Sequence, residues 1–242
     1  MLNLAGSSIG DGRFTEKRKA TILESRTETT RYAGKALKVA GAKPSHWIQA
    51  SAIGYYGNSG NQDATERSPA GNLFLSRVCM EWEKVANKQS RALGVDTFSI
   101  LRLGVVLAPD APAWKKMLLP FKVGAGGPLG SGEQWFSWVM LEDVVKMVNH
   151  LLENPSSAAG IWNGTAPGAV QQKDLATAIG KAYNRPALLP TPAWVLRLAL
   201  GDMADELVLA SCKAVPGAFQ SERFQYFYPD LDAALSRLSS SE

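Results

Sequence analysis

Cysteine and histidine are scarce in this 242-residue chain, with two of each. Cys79 and Cys212 have no metal-ligand spacing, which argues against a disulfide framework and a cysteine-rich zinc site and suggests a reducing compartment. His46 and His150 are the only histidines available to a His-based zinc site or a Ser-His-Asp triad, and neither sits in a suggestive context. No signal peptide is visible in these residues and no apolar run reaches membrane-spanning length, so a cytoplasmic protein without a membrane partner is expected. The net charge is only +4. Its basic excess falls between Arg13 and Lys43, broken by Glu16, Glu24 and Glu28. Only Phe14 and Tyr32 fall among these charges, too few to form a base-stacking platform, so they read as a solvated helix face, and nucleic acid is not an expected partner. Internal repeats are absent, and so is any Gly-rich phosphate loop.

What is present alternates between helix and strand. Thr15 can cap a long helix reaching Ala40, with Ile22, Ala33, Ala36 and Leu37 on an apolar stripe and Gly41 as its stop. A short strand follows over 46–50, a turn-rich loop over 54–60, a helix over 73–93, and a strand over 96–107 with β-branched and apolar content. Such alternation predicts a parallel sheet with helical crossovers. After Leu107 the pattern breaks. Pro109, Pro112, Pro120 and Pro128, with the run Gly124-Ala125-Gly126-Gly127, predict a loop-rich insertion over 108–140. Helices are then expected over 142–152, where Asp143 helps the start electrostatically, and over 173–183, with a strand over 160–163 between them. Thr191 and Pro192 open a further helix. Trp194, Leu196, Leu198 and Leu200 make it apolar on most sides, so burial is expected, in this chain or against a partner.

Ligands of an open parallel sheet sit at the carboxyl ends of its strands, and three such ends carry suitable residues. At Asn3-Leu4-Ala5-Gly6, small side chains let a ligand approach the backbone; a plain tight turn is the alternative. Ser51, with Tyr55 and Tyr56, could polarise a carbonyl or pass a proton; a packed aromatic loop explains the same residues. In Arg102-Leu103-Gly104-Val105-Val106, Gly104 leaves room for a flat ring, and Arg102 can pair with a phosphate or carboxylate or brace a loop. Arg26, on the first helix, can reach back toward the Gly6 turn, or lie exposed.

Taken in order, these blocks resemble the epimerase-like atypical short-chain dehydrogenase/reductases, which carry a C-terminal domain of unknown function. The resemblance rests on Asn3-Leu4-Ala5-Gly6, Arg13-Phe14-Thr15, Ser25-Arg26, Ala50 through Gly57, Ser68-Pro69-Ala70-Gly71, Trp82-Glu83, Gly104 through Leu107, Leu118-Leu119-Pro120-Phe121, Gly126 through Gly132, Trp138, Asn163 through Pro167, and Arg185-Pro186-Ala187. It implies an α/β fold: a Rossmann-like parallel sheet, incomplete because the first strands and the Gly-rich loop are absent, with a small C-terminal substrate-side cap. A partial NAD(P)-binding domain over 1–170 and a helical cap over 185–238 are expected. It also implies an NADP (or NAD) cofactor lined by Leu4, Ala5 and Gly6, with Arg26 toward a phosphate and Val106 near the end of its strand. Arg102, Gly130, Gln134 and Trp135 fall on the substrate side, and Ser51 and Tyr55 are the catalytic candidates.

Two departures from the family pattern stand out. The opening strand, Gly-rich turn and helix are missing, about 60 residues at about 30 per βαβ unit, which predicts weakened cofactor binding. The helix after the Ser51 strand has no Tyr-x-x-x-Lys pair. Met140 also stands where relatives often carry His. The expected function is therefore an NAD(P)-dependent oxidoreductase or nucleotide-sugar epimerase-like protein acting on an unknown small molecule. The alternatives are a non-catalytic NADP-binding regulatory or scaffold protein, or a cofactor-free fragment. A homodimer stays open.

Overall fold

The computed structural model describes residues 1–240. In chain order it contains β1 (Leu2–Asn3), α1 (Glu16–Val39), β2 (His46–Ala52), a 3-10 turn (Ile53–Tyr56), β3 (Asp63–Ala64), α2 (Phe74–Ala92), β4 (Thr97–Leu103) and β5 (Val105–Leu107). There follow α3 (Pro112–Lys122), β6 (Trp135–Phe136), β7 (Trp138–Met140), α4 (Leu141–Glu153), β8 (Gly160–Gly164), β9 (Val170–Gln171) and α5 (Gln172–Ala182). The C-terminal part adds α6 (Ala193–Leu200), a π-turn (Ala204–Val208), β10 (Lys213–Ala214), α7 (Gly217–Ser221) and α8 (Leu231–Ser239).

The main sheet has the order β1-β2-β4-β8, all parallel, as the helix–strand alternation predicts. β2 is buried from His46 through Ser51, which requires cover on both faces of the sheet. α1 and α2 cover one face. α4 and the C-terminal aromatics pack with Ile48 and Leu101 in a core that includes Met147, Leu151, Trp162, Phe219 and Phe224. Thr15 caps α1 through its hydroxyl, which accepts from the Arg18 amide. A buried polar knot ties the first strand to both helices. Asn3 donates to Thr30 and Gln49, each at 2.9 Å, and the Trp82 indole donates to Thr30 at 3.0 Å.

Two expectations need correction. The 108–140 insertion is not all loop, because α3 occupies Pro112–Lys122. Pro112 sits in its first turn, where the missing N–H costs nothing, and Pro120 falls in its last turn. Trp114, Leu118 and Phe121 recur at helical spacing and are buried, a signal the prolines obscured. The expected 96–107 strand is two strands that break at Gly104. β4 stays in the main sheet, whereas β5 leaves to pair with β7. A Cβ on Gly104 would lie 2.9 Å from both the Ser137 carbonyl oxygen and the Thr165 methyl. The space expected for a flat ring is therefore filled by protein. Of the burial expected for α6, in this chain or against a partner, the chain itself supplies only that of Leu196, while Trp194 and Leu198 are 68% and 72% exposed. Apolar composition on most sides does not say which side finds a neighbour.

The C-terminal part is held by carboxylates that accept backbone amides across the fold. Glu206 accepts from Phe74 and Leu75 at the N-terminus of α2, which has no side-chain cap of its own. Glu66 accepts from Ala218 in α7 and from Asn163 in β8. Asp143 is fully buried and accepts from Phe227 at 2.7 Å and Tyr228 at 3.0 Å, a task beyond the helix-start role read from its position. Burial pushes the Asp143 carboxyl above its ordinary range, against the pull of the two amides. Asp143→Asn keeps one acceptor but turns an amide donor toward the second N–H. A loss of about 1–3 kcal/mol is expected, read as a lower urea midpoint at unchanged slope. A variant as stable as the parent would show that these bonds do not hold the tail.

Candidate functional site at the carboxyl edge of the sheet

Parallel pairing sets Ser51 beside Arg102 and Arg102 beside Asn163, so the three stand in one row across β2, β4 and β8. α2 lays Glu83 over this row. The Arg102 guanidinium, 1% exposed, grips Glu83 with Nε at 2.9 Å and Nη2 at 2.8 Å. The Ser51 hydroxyl donates to the same carboxylate at 2.6 Å. Arg102 also donates to the Tyr56 hydroxyl at 3.0 Å, and Tyr56 donates to Asn163 at 2.6 Å. The Asn163 amide continues to the carbonyls of Ala64 and Val215, which flank or belong to the small β3–β10 pair. Burial works against the Arg102 charge, but the Glu83 carboxylate more than offsets it and holds the guanidinium above its ordinary value. Burial pushes the Tyr56 hydroxyl up to about 12, so Tyr56 stays a neutral phenol.

Tyr55 has a different position. Its ring lies on the Arg102 guanidinium, 3.4 Å from ring centroid to Cζ, and meets Tyr56 edge-on at 5.4 Å. The ring is half-buried, and among the described residues nothing bonds its hydroxyl. The turn carrying it is set by Gly71, whose amide donates to the Tyr55 carbonyl at 2.9 Å. A Cβ on Gly71 would come within 2.4 Å of the Tyr56 carbonyl oxygen. The close approach of these two segments therefore requires glycine.

At the neighbouring strand end, Leu4, Ala5 and Gly6 are exposed. Arg26 crosses this turn, and a Cβ on Gly6 would meet its guanidinium carbon at 3.0 Å. Arg26 donates to the carbonyls of Ser7 and Ile22 and lies over the Trp82 ring at 5.3 Å. Burial lowers its pKa, as does the like charge of Arg18. Among the described residues no carboxylate pairs with it. This edge therefore presents small residues, the half-buried Val106, and a partly desolvated cation without a counter-ion. That combination suits a phosphate-bearing ligand.

The substrate-side candidates are placed otherwise than expected. Arg102 is the internal brace just described. Gln134 is buried, and its amide donates to the carbonyls of Leu129 and Val208. Gly130, at φ +61°, packs against Leu209 and donates to the Thr191 carbonyl. The Trp135 indole donates to Asn61, and the Lys213 ammonium lies over its ring at 4.7 Å. These residues fasten the C-terminal part to the body. Ser51 is likewise turned inward, its proton committed to Glu83. Sequence reasoning missed the roles of Glu83 and Asn163. The signal for Glu83 was a carboxylate among Leu75, Cys79, Trp82 and Ala86 on the buried side of α2, a position that calls for a cation partner.

Other chemistries find no support at this edge. His46 opens β2 at the far end and bonds Ser99. Burial pushes the Cys79 thiol up to about 11 and the Cys212 thiol up to about 12, so neither offers a thiolate near neutral pH. Among the described residues there is no His, Cys, Asp and Glu cluster suited to a metal, and no helix long and apolar enough to cross a membrane.

Known proteins match along the whole chain. Residues 191–238 match a family model described as a domain of unknown function, DUF1731. The Bacillus subtilis epimerase family protein YfhF is 39% identical over 238 residues, covering 98% of this chain and 77% of that protein. The chloroplastic SDR39U1 homolog of Arabidopsis thaliana is 37% identical over 237 residues, covering 97% of this chain and 67% of that one. The crystal structure of the human epimerase family protein SDR39U1 (isoform 2) with NADPH superposes with a TM-score of 0.90 at 32% identity. It covers 100% of this chain and 81% of the human one.

Proposed function

Because the chain belongs to the epimerase family of atypical short-chain dehydrogenase/reductases, we propose that it binds an NADP-type dinucleotide along the carboxyl edge of its sheet and acts on a small molecule bearing a carbonyl or hydroxyl group. The observation that carries this reading is Arg26, a cation beside the Ala5–Gly6 turn with no carboxylate partner among the described residues. Leu4, Ala5, Gly6 and Val106 would line the cofactor, and Arg26 would meet a phosphate. When bound, such a cofactor exchanges a hydride with the substrate carbon. Tyr55 would touch the substrate and hold its oxygen by a hydrogen bond, from a ring kept in place by Arg102. Ser51 would act through Glu83, by keeping that brace aligned.

A thermal-shift titration tests the cofactor half. At a hundredfold excess over Kd, NADPH is expected to stabilise the protein by about 2.7 kcal/mol, and Arg26→Ala to weaken binding by about tenfold or more. No shift with NADPH or NADH, or an unchanged affinity in Arg26→Ala, removes the reading. Tyr55→Phe should keep the NADPH shift and lose turnover on any carbonyl compound the parent reduces. The second reading, a non-catalytic NADP-binding regulatory or scaffold protein, is favoured by the inward-turned Ser51 and by the absence, among the described residues, of a base bonded to the Tyr55 hydroxyl. Its signature is cofactor binding with no turnover across a carbonyl panel.

A further inference from the structure

The α1–α2 layer carries eleven Lys and Arg against five Glu. Its excess of positive charge is larger than the +4 of the entire chain, so the remainder is net acidic and the charge is segregated onto one layer. Between the C-terminal halves of the two helices lies a groove of about 490 Å³. It is lined by Gly34, Val85, Ala92 and Leu93 together with Arg31, Lys35 and Lys38 from α1 and Lys84 and Lys88 from α2. The carboxylates nearby are already engaged, Glu28 with Arg31 and Glu81 with Lys84. Among the described residues Lys38 and Lys88 have no carboxylate partner, and Lys35 lies over the Tyr32 ring. Gly34 explains the shape. A Cβ there would come within 2.4 Å of the Gln89 side chain, so the helices close tightly at that point. In right-handed crossovers the helices run against the strands. The groove therefore lies toward the amino edge of the sheet, away from Arg26 and Tyr55.

We propose that this groove docks an acidic segment of a partner protein that also carries an aliphatic side chain. Charge complementarity calls for an anionic occupant, and the apolar residues of the lining, Val85 and Leu93 among them, select among anions. A phosphodiester backbone has nothing to seat on Val85 and Leu93, and no aromatic residue lines the groove to stack a base. A second copy of the chain meeting this face in a symmetric contact would bring the same basic residues together, and like charges oppose that contact.

Fluorescence anisotropy with a labelled dodecapeptide of Glu, with Leu at every fourth position, tests the assignment on the full chain. Binding to the parent protein is expected to fall by about a hundredfold in the combined variant Lys35→Glu, Lys38→Glu, Lys84→Glu, Lys88→Glu. An all-Glu peptide of the same length should bind about tenfold more weakly than the Leu-bearing one. All four lysines are exposed, and unchanged melting and an unchanged NADPH response serve as fold controls. Should the combined variant misfold, Lys38→Glu with Lys88→Glu carries the comparison. Three outcomes overturn the proposal: no peptide binding, equal binding by parent and variant, or preferential binding of single-stranded DNA or anionic vesicles.

Discussion

Arg102→Met is expected to destabilise the protein by about 3–5 kcal/mol, because it leaves the Glu83 carboxylate buried without its cation. Ser51 remains as a donor to that carboxylate, but one neutral hydroxyl does not replace a two-point guanidinium grip. For a chain of this size the loss corresponds to a fall in Tm on the order of 10 °C. The double variant Arg102→Met with Glu83→Leu removes both charges and should recover much of the loss, since an apolar pair of similar volume is often as stable as a buried ion pair. Arg102→Lys keeps the charge but cannot form the fork, and should fall between. Urea unfolding of these proteins, with the single variant Glu83→Leu added, closes a double-mutant cycle. If Arg102→Met alone stays within 1 kcal/mol of the parent, order of magnitude for a surface pair, the network is not the brace described here.

Phe219→Ala is expected to cost a further 3–5 kcal/mol, at about the upper range for a buried aromatic. The ring is fully buried and packs on Trp162 at 4.8 Å, Phe224 at 5.0 Å and His150 at 6.1 Å. It joins α7 to α4 and β8, so its loss should loosen the C-terminal part first, seen as early proteolytic cleavage between α7 and α8. Trp194→Ala in the same part supplies the contrast. That indole is 68% exposed, and its removal should change stability by no more than about 0.5 kcal/mol. A large cost at Trp194 would mean that the face of α6 is covered.

The comparison of these two aromatics shows where sequence stops being informative. Both lie in an apolar part of the tail, and local pattern cannot say which one finds neighbours. The alternation of α1, β2, α2 and β4 was readable because periodicity and stop signals are local properties. The Gly104 break was not, because it depends on Ser137 and Thr165 arriving from elsewhere. The site divides in the same way. The strand ends at Gly6, Ser51 and Arg102 stood out in the sequence as candidate positions. What each does depends on partners such as Glu83, remote from both Ser51 and Arg102 in sequence. That partner, with Tyr56, holds Arg102 inward, and it takes the Ser51 proton as well.

The carboxylates that accept amides across the fold have a consequence for what counts as a unit. Glu206 lends the tail's charge to a helix of the body, while Glu66 and Asp143 return the service to α7 and to Phe227 and Tyr228. Cut anywhere near Thr191, each half would expose a carboxylate aimed at nothing and amides with no acceptor. The stretch over 191–238 that matches a family model is thus tied to the rest of the chain by carboxylate–amide bonds that run in both directions.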